Sequence, residues 1–141
     1  MSINQVLLID DHPLVNYGIA SCLEETGCFA VVAMAASLTE AQNFIEETQK
    51  LPELILLDII LGEENGLDFL PFLENHCLKK SIDMPLVLVF SVLDNPFNVQ
   101  RALNLGAAGY ISKTSVKAEL LTALIHCCGE KFIFQTNTMI Y

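Results

Sequence analysis

Three aspartates, a serine and a lysine stand at the ends of short apolar runs. Val6-Leu7-Leu8-Ile9 runs into Asp10-Asp11, and Leu54-Ile55-Leu56-Leu57 runs into Asp58. Leu86 to Phe90 runs into Ser91, and Ala108 to Ile111 leads to Lys113. As parallel strands of one sheet, these runs would bring all five residues to a single edge. Two unit charges about 4 Å apart repel by roughly 4 kcal/mol at an effective dielectric near 20. Three converging carboxylates therefore raise a pKa or bind a cation. Oxygen-only ligands favour a hard ion, and Mg2+ suits a site that keeps waters and awaits a phosphate. The set fits phosphoryl transfer, whose loose transition state asks the protein mainly to position groups and neutralise charge. A carboxylate nucleophile would give an acyl phosphate. The cation and Lys113 would offset the charge of the transferred oxygens, and Ser91 would donate a hydrogen bond to one of them.

The elements that must position these groups alternate. After the first apolar run, Pro13 suits a first helical position, and Val15, Ile19, Cys22 and Leu23 share a helical face that Gly27 can end. Phe29 to Ala35 reads as a second strand. Ser37-Leu38-Thr39-Glu40 is a capping-box pattern opening a helix with Leu38, Ala41 and Ile45 on one face. Pro52 bounds the strand Leu54 to Leu57. Leu67, Leu70, Leu73 and Cys77 suggest a third helix, and Pro71 within it means a late start or a kink. Pro85 precedes the strand Leu86 to Phe90. Pro96 to Leu105 reads as a weaker helix ending at Gly106, and Ala108 to Ile111 as a fifth strand. Thr114 or Ser115 can cap a last helix with Val116, Leu120, Leu124 and Cys127 inward. Continuous apolar strands alternating with helices predict an α/β fold with a parallel sheet covered on both faces. Five such units fit the flavodoxin-like doubly wound (βα)5 sandwich with strand order 2-1-3-4-5, and such sheets bind ligands at the carboxyl ends of their strands.

Composition narrows the class. The chain has 141 residues, enough for one domain with a core, and 52% of them are apolar. No apolar run reaches the roughly 18 residues of a membrane span, and no basic flank marks a secretory signal. A cytoplasmic protein is expected. Seventeen acidic residues against seven basic ones leave a net charge of −10, which repels nucleic acid. The five cysteines include no CxxC pair, so Cys22, Cys28, Cys77, Cys127 and Cys128 read as small buried hydrophobes in a reducing compartment.

Val6-Leu7-Leu8-Ile9-Asp10-Asp11-His12-Pro13-Leu14-Val15 resembles the opening of response-regulator receiver domains, and its Asp-Asp-His-Pro-Leu-Val run the NarL/FixJ (LuxR-type) subfamily in particular. Leu56-Leu57-Asp58-Ile59 with Asn65-Gly66-Leu67 resembles the phosphoacceptor strand and loop. Gly106-Ala107-Ala108-Gly109-Tyr110-Ile111-Ser112-Lys113 resembles the subfamily's fifth-strand signature. The resemblance covers about residues 3–128. It implies that Asp58 accepts a phosphoryl group from a histidine kinase's phosphohistidine. It implies that Asp11, Asp58 and the Ile60 backbone carbonyl bind Mg2+ directly, with Asp10 acting through water. Ser91 would move toward the phosphoryl group, Tyr110 would turn inward behind it, and Lys113 would pair with Asp58 and then with the phosphate. The only enzymatic activity implied is self-phosphorylation and self-dephosphorylation.

Some positions depart from the family pattern. Ser91 stands where Thr is more usual, Val92 where Ala is usual, Gly62 where Pro is common, Thr114 where many receivers have Pro, and Asn16 where Arg is frequent. Val92 has the bulk to narrow access to the site. His12 reads as a helix-entry residue, and Lys79-Lys80 as a solvated helix end. The last helix, with Leu121, Ile125 and Cys128 beside its inward row, is a candidate homodimer face. Residues 1–128 are expected to form the receiver, and residues 129–141 a linker start or C-terminal tail. A helix-turn-helix DNA-binding domain normally follows in the subfamily. The chain stops at Tyr141, too soon to hold one, so the expectation is a piece of a transcription regulator that would meet DNA only through that domain. The alternatives are a stand-alone receiver and a degenerate one acting by protein–protein contacts. A phosphohydrolase would carry Asp-x-Asp rather than adjacent Asp10-Asp11, and a flavin module a hydroxyl- and glycine-rich loop after the first strand.

Overall fold

A computed structural model describes residues 3–92 and 95–113. The elements run β1 (Asn4–Ile9), α1 (Pro13–Glu25), β2 (Phe29–Ala35), α2 (Leu38–Glu47), β3 (Leu54–Leu57), β4 (Ile60–Leu61), β5 (Glu64–Asn65), α3 (Phe69–Lys80), β6 (Leu86–Ser91), α4 (Pro96–Asn104) and β7 (Gly109–Ser112). A 3-10 turn over Gly66–Asp68 leads into α3. Five strands form one parallel sheet in the order β2-β1-β3-β6-β7. This is the 2-1-3-4-5 doubly wound order expected from the alternation. The unanticipated β4 and β5 are a two-residue antiparallel hairpin outside that sheet.

Both faces of the sheet are buried, which is why its strands are continuously apolar. Leu7, Ile9, Ile55, Leu57, Val87 and Val89 face one core with residues of α2, α3 and α4. Val6, Leu8, Leu54, Leu56 and Leu88 face the other, against Ile19, Ala20 and Leu23 of α1. The period of two along each strand thus divides α1 from the next three helices.

Two helices differ from the reading of their sequences. The buried row of α1 is Asn16, Ile19, Ala20 and Leu23, while Val15 is 36% exposed and Cys22 half-buried. The helix is rotated because Asn16 makes a buried hydrogen bond that Val15 cannot. In α3 Pro71 causes no kink. The helix begins at Phe69, so Pro71 falls in the first turn, where no helical partner awaits its missing N–H. The capping box of α2 forms with a shift. Ser37 Oγ accepts from Glu40 N at 3.1 Å, but Glu40 Oε1 accepts from Ala36 N, not from Ser37 N. Lys79 and Lys80 end α3 exposed, as expected.

Register sets the functional edge. Ile9 pairs with Ala35 and Leu57, Leu57 with Val89, Val89 with Tyr110, and Ser91 with Ser112. Asp10, Asp58 and Lys113 follow on from these paired ends. Backbone hydrogen bonds carry the ladder past the strands: Asp10 N donates to Ala35 O (3.0 Å), Asp58 N to Ile9 O (2.9 Å) and Lys113 N to Ser91 O (2.8 Å). The last helix with its candidate dimer face, the cap at Thr114 or Ser115, and the 128/129 boundary lie outside the described residues.

Candidate functional site

Asp10, Asp58 and Lys113 come from the ends of β1, β3 and β7, and they meet. Lys113 Nζ donates to Asp10 Oδ2 at 2.5 Å and to Asp58 Oδ2 at 2.8 Å. Both carboxylates are nearly inaccessible, at 4% and 3% exposure. The period of two explains the meeting. Asp10 continues the row of Leu8, Asp58 that of Leu56, and Lys113 that of Ile111, so all three stand over the face that α1 covers. Lys113 also lies 5.8 Å from the centre of the Phe90 ring.

The electrostatics follow from this geometry. Burial pulls the Lys113 pKa down. The hydrogen bonds to Asp10 and Asp58, with the charge of both, outweigh burial and leave it raised above 10.5. His12 is the N-cap of α1, as its position before Pro13 implied, but its ring turns toward the acids. Nδ1 lies 2.7 Å from Asp10 Oδ1 and 3.0 Å from Asp11 Oδ1. The hydrogen bond to Asp10, then the charges of Asp10 and Asp11, hold His12 above its ordinary 6.5.

Asp11 and the loop after Asp58 complete the edge. Asp10, Asp11, His12 and Asp58 each offer a ligand atom, and these atoms lie within 4.8 Å of one another. Asp11 Oδ2 accepts from Gly62 N at 2.9 Å in the hairpin turn, and Asp58 Oδ1 from Ile60 N at 3.2 Å. Gly62 has a φ of +60°, a conformation that glycine adopts freely and Pro cannot. Glu64 at the hairpin's far side accepts from Leu38 N at 3.1 Å and so helps cap α2. Asn65 caps the 3-10 turn by accepting from Leu67 N at 2.9 Å.

Ser91 is fully buried at the end of β6, and Val92 after it is 53% exposed, so much of its bulk meets solvent. Tyr110 is directed inward and lies in the core with Val99, Ala102 and Ala107. The structure thus brings Asp10, Asp11, Asp58 and Lys113 together, with Ser91 at the end of the neighbouring strand and Tyr110 in the core. Sequence reasoning missed Asn16, which donates from Nδ2 to the Asp10 carbonyl at 2.8 Å. The spacing of 16, 19, 20 and 23 is helical, but so is that of the more apolar row 15, 19, 22 and 23, and only the Asp10 carbonyl favours the first. Glu64 left no local signal, since its partner is 26 residues away.

The doubly wound sheet joins carboxylates and a lysine at its carboxyl edge, and comparison with known proteins identifies its family. Residues 6–125 match the model of the response regulator receiver domain, and the chain belongs to that family. It is 36% identical over 137 residues to the nitrate/nitrite response regulator protein NarL of Escherichia coli K12, covering 96% of this chain and 60% of that protein. The chain thus spans about 60% of the length of that relative. Among solved structures it resembles a LuxR-family two-component response regulator from Aurantimonas sp. SI85-9A1, with a TM-score of 0.78, 25% identity, and 98% and 96% of the two chains covered. It also resembles a signal receiver domain assigned to NarL of Mycobacterium tuberculosis, with a TM-score of 0.77, 29% identity, and 92% and 99% covered. Among the described residues no helix is long and apolar enough to cross a membrane.

Proposed function

We propose that the chain is a phosphorylation switch in which Asp58 accepts a phosphoryl group from the phosphohistidine of a cognate histidine kinase. The observation that carries this reading is the pairing of Lys113 with Asp58 inside a cluster of three carboxylates. Asp58 Oδ attacks phosphorus, the P–O bond forms, and the P–N bond breaks. The imidazole leaves with the electron pair and the product is an acyl phosphate. Lys113 passes from the Asp58 carboxylate to the phosphoryl oxygens. Ser91 moves toward one of those oxygens and donates a hydrogen bond to it; Tyr110 is already directed inward in this structure, so the surface change is read as starting from Ser91.

The residues fit Mg2+. The carboxylates supply hard oxygen donors, and Asp11 Oδ1 is buried yet accepts no hydrogen bond among the described residues, although the His12 ring is near it. Asp11, Asp58 and the Ile60 carbonyl would hold the ion, with Asp10 acting through water. When bound, the ion neutralises charge on the phosphoryl oxygens. Downstream, the reading is control of transcription through a helix-turn-helix domain outside this sequence, with pairing of two copies through the last helix.

The test is intact-mass measurement after incubation with acetyl phosphate and Mg2+. The wild-type chain is expected to gain one phosphoryl group and Asp58→Asn none. Equal gain by both would overturn the assignment.

A further inference from the structure

We propose that Asn16 is a positioning residue for the acidic edge, acting through the Asp10 main chain. The proposal rests on the metal-binding reading above and adds a residue to it. Asn16 is 5% exposed in the first turns of α1. Its Nδ2 donates to the Asp10 carbonyl at 2.8 Å, a buried bond between helix and strand end. Its own N–H donates to the His12 carbonyl at 3.0 Å, so the same residue closes the helix over the two acids. That main-chain bond is the ordinary first bond of the helix, which any residue but Pro would make, so it is the side-chain bond that ties α1 to the Asp10 main chain.

The surroundings show that the amide is not there for packing. Asn16 lines a cavity of about 10 Å3 with Leu8, Ile19, Leu56 and Phe90, beneath Asp10 and Asp58. Its Oδ1 is buried there and accepts no hydrogen bond among the described residues. Burying half of an amide's hydrogen-bonding capacity unmet opposes folding. A leucine would suit the apolar wall without that penalty. What the position gains from an amide is the contact to Asp10.

That contact bears on metal binding because Asp10 holds its place only as firmly as its backbone does. Asp10 Oδ1 faces the His12 ring and Oδ2 faces Lys113. A small rotation of the peptide after Asp10 displaces Asp10 and Asp11 together, and both belong to the ligand cluster. Partners that orient ligands in this indirect way typically change metal affinity by about 10–100-fold when removed.

The test is Mn2+ binding to the full chain, followed by electron paramagnetic resonance, for wild type, Asn16→Leu, Asn16→Gln and Ile19→Val. Ile19→Val trims the same cavity wall without touching Asp10. Asn16→Leu is expected to weaken Mn2+ binding about tenfold or more. Asn16→Gln, which keeps the amide, is expected to recover part of the loss, and Ile19→Val to stay near wild type. Should Asn16→Leu fail to fold, Asn16→Ala is read in the same way. Unchanged affinity in Asn16→Leu would overturn the proposal, as would equal weakening by Ile19→Val, which marks a packing effect. A wild-type chain that binds no Mn2+ would instead overturn the metal reading itself, and the role of Asn16 with it.

Discussion

A Cβ placed on Gly66 would stand 1.8 Å from the carbonyl oxygen of Asp58. The backbone of the loop after β3 packs directly against the residue read as the phosphoacceptor, and Gly66 N donates to Ile59 O at 2.6 Å. No side-chain rotation relieves such a clash, because both partners are main chain.

Gly66→Ala must therefore shift the loop or the end of β3. Overpacking typically costs about 1–3 kcal/mol, and this contact belongs at the upper end. Urea unfolding is expected to show a loss of about 2–3 kcal/mol, with slower phosphorylation by acetyl phosphate. A variant as stable as wild type would mean that the loop yields without cost.

Among the described residues Asp11 pairs with no lysine, and its Oδ1 is buried with only the His12 ring near it. Removing its charge relieves repulsion from Asp10 and Asp58 in the metal-free chain. Asp11→Asn is expected to melt higher than wild type in EDTA, by the few degrees that about 1 kcal/mol brings. The same variant should gain little from added Mg2+. Thermal melts with and without the ion check both signs, and a lower melting temperature in EDTA would contradict the repulsion argument.

Lys113 makes stability depend on alkaline pH. Its folded pKa is raised above the unfolded value, so its contribution is complete below the unfolded pKa of about 10.4 and fades as pH rises through the folded value. Among the described residues, Lys113→Met leaves Asp58 without its charged partner and Asp10 with His12 alone, at a cost of about 3 kcal/mol. Urea titrations in EDTA should show this difference constant through neutral pH and shrinking only above about pH 10.4. A difference that shrinks near neutrality would point to another group.

Cys77 tests the packing of α3. Burial pushes its thiol up from 9.0, and the charge of Asp83 adds to this. The native chain treated with iodoacetamide near pH 8 should leave Cys77 unmodified while the half-buried Cys22 and Cys28 react. Peptide mapping reads the difference, and early modification of Cys77 would show that α3 opens easily.

Much of the fold was legible because parallel strands covered on both faces must be continuously apolar. Leu54 to Leu57 and Leu86 to Phe90 carried that mark, and their polar followers pointed to one edge. The rotation of α1 was not legible. Val15 is the more hydrophobic choice for a buried row, and only the Asp10 carbonyl makes Asn16 the better one. The late start of α3 stayed open because Pro71 allows either a first turn or a kink. Cys22 and Cys28, expected to be buried, are only partly so, since neighbouring positions on the helix and loop take the core.

The sequence by itself determined the alternation of strands and helices, the strand order expected of it, and the acids, hydroxyl and lysine that share the carboxyl edge. These follow from periodicity and residue type, which are local. Tertiary structure alone decided that Lys113 bridges Asp10 and Asp58, that Gly62 in a hairpin holds Asp11, and that Glu64 reaches the N-terminus of α2. Those contacts join residues 26 to 103 positions apart. Distances of 2.5 to 3.1 Å between such residues depend on strand register and loop path, which no local pattern encodes.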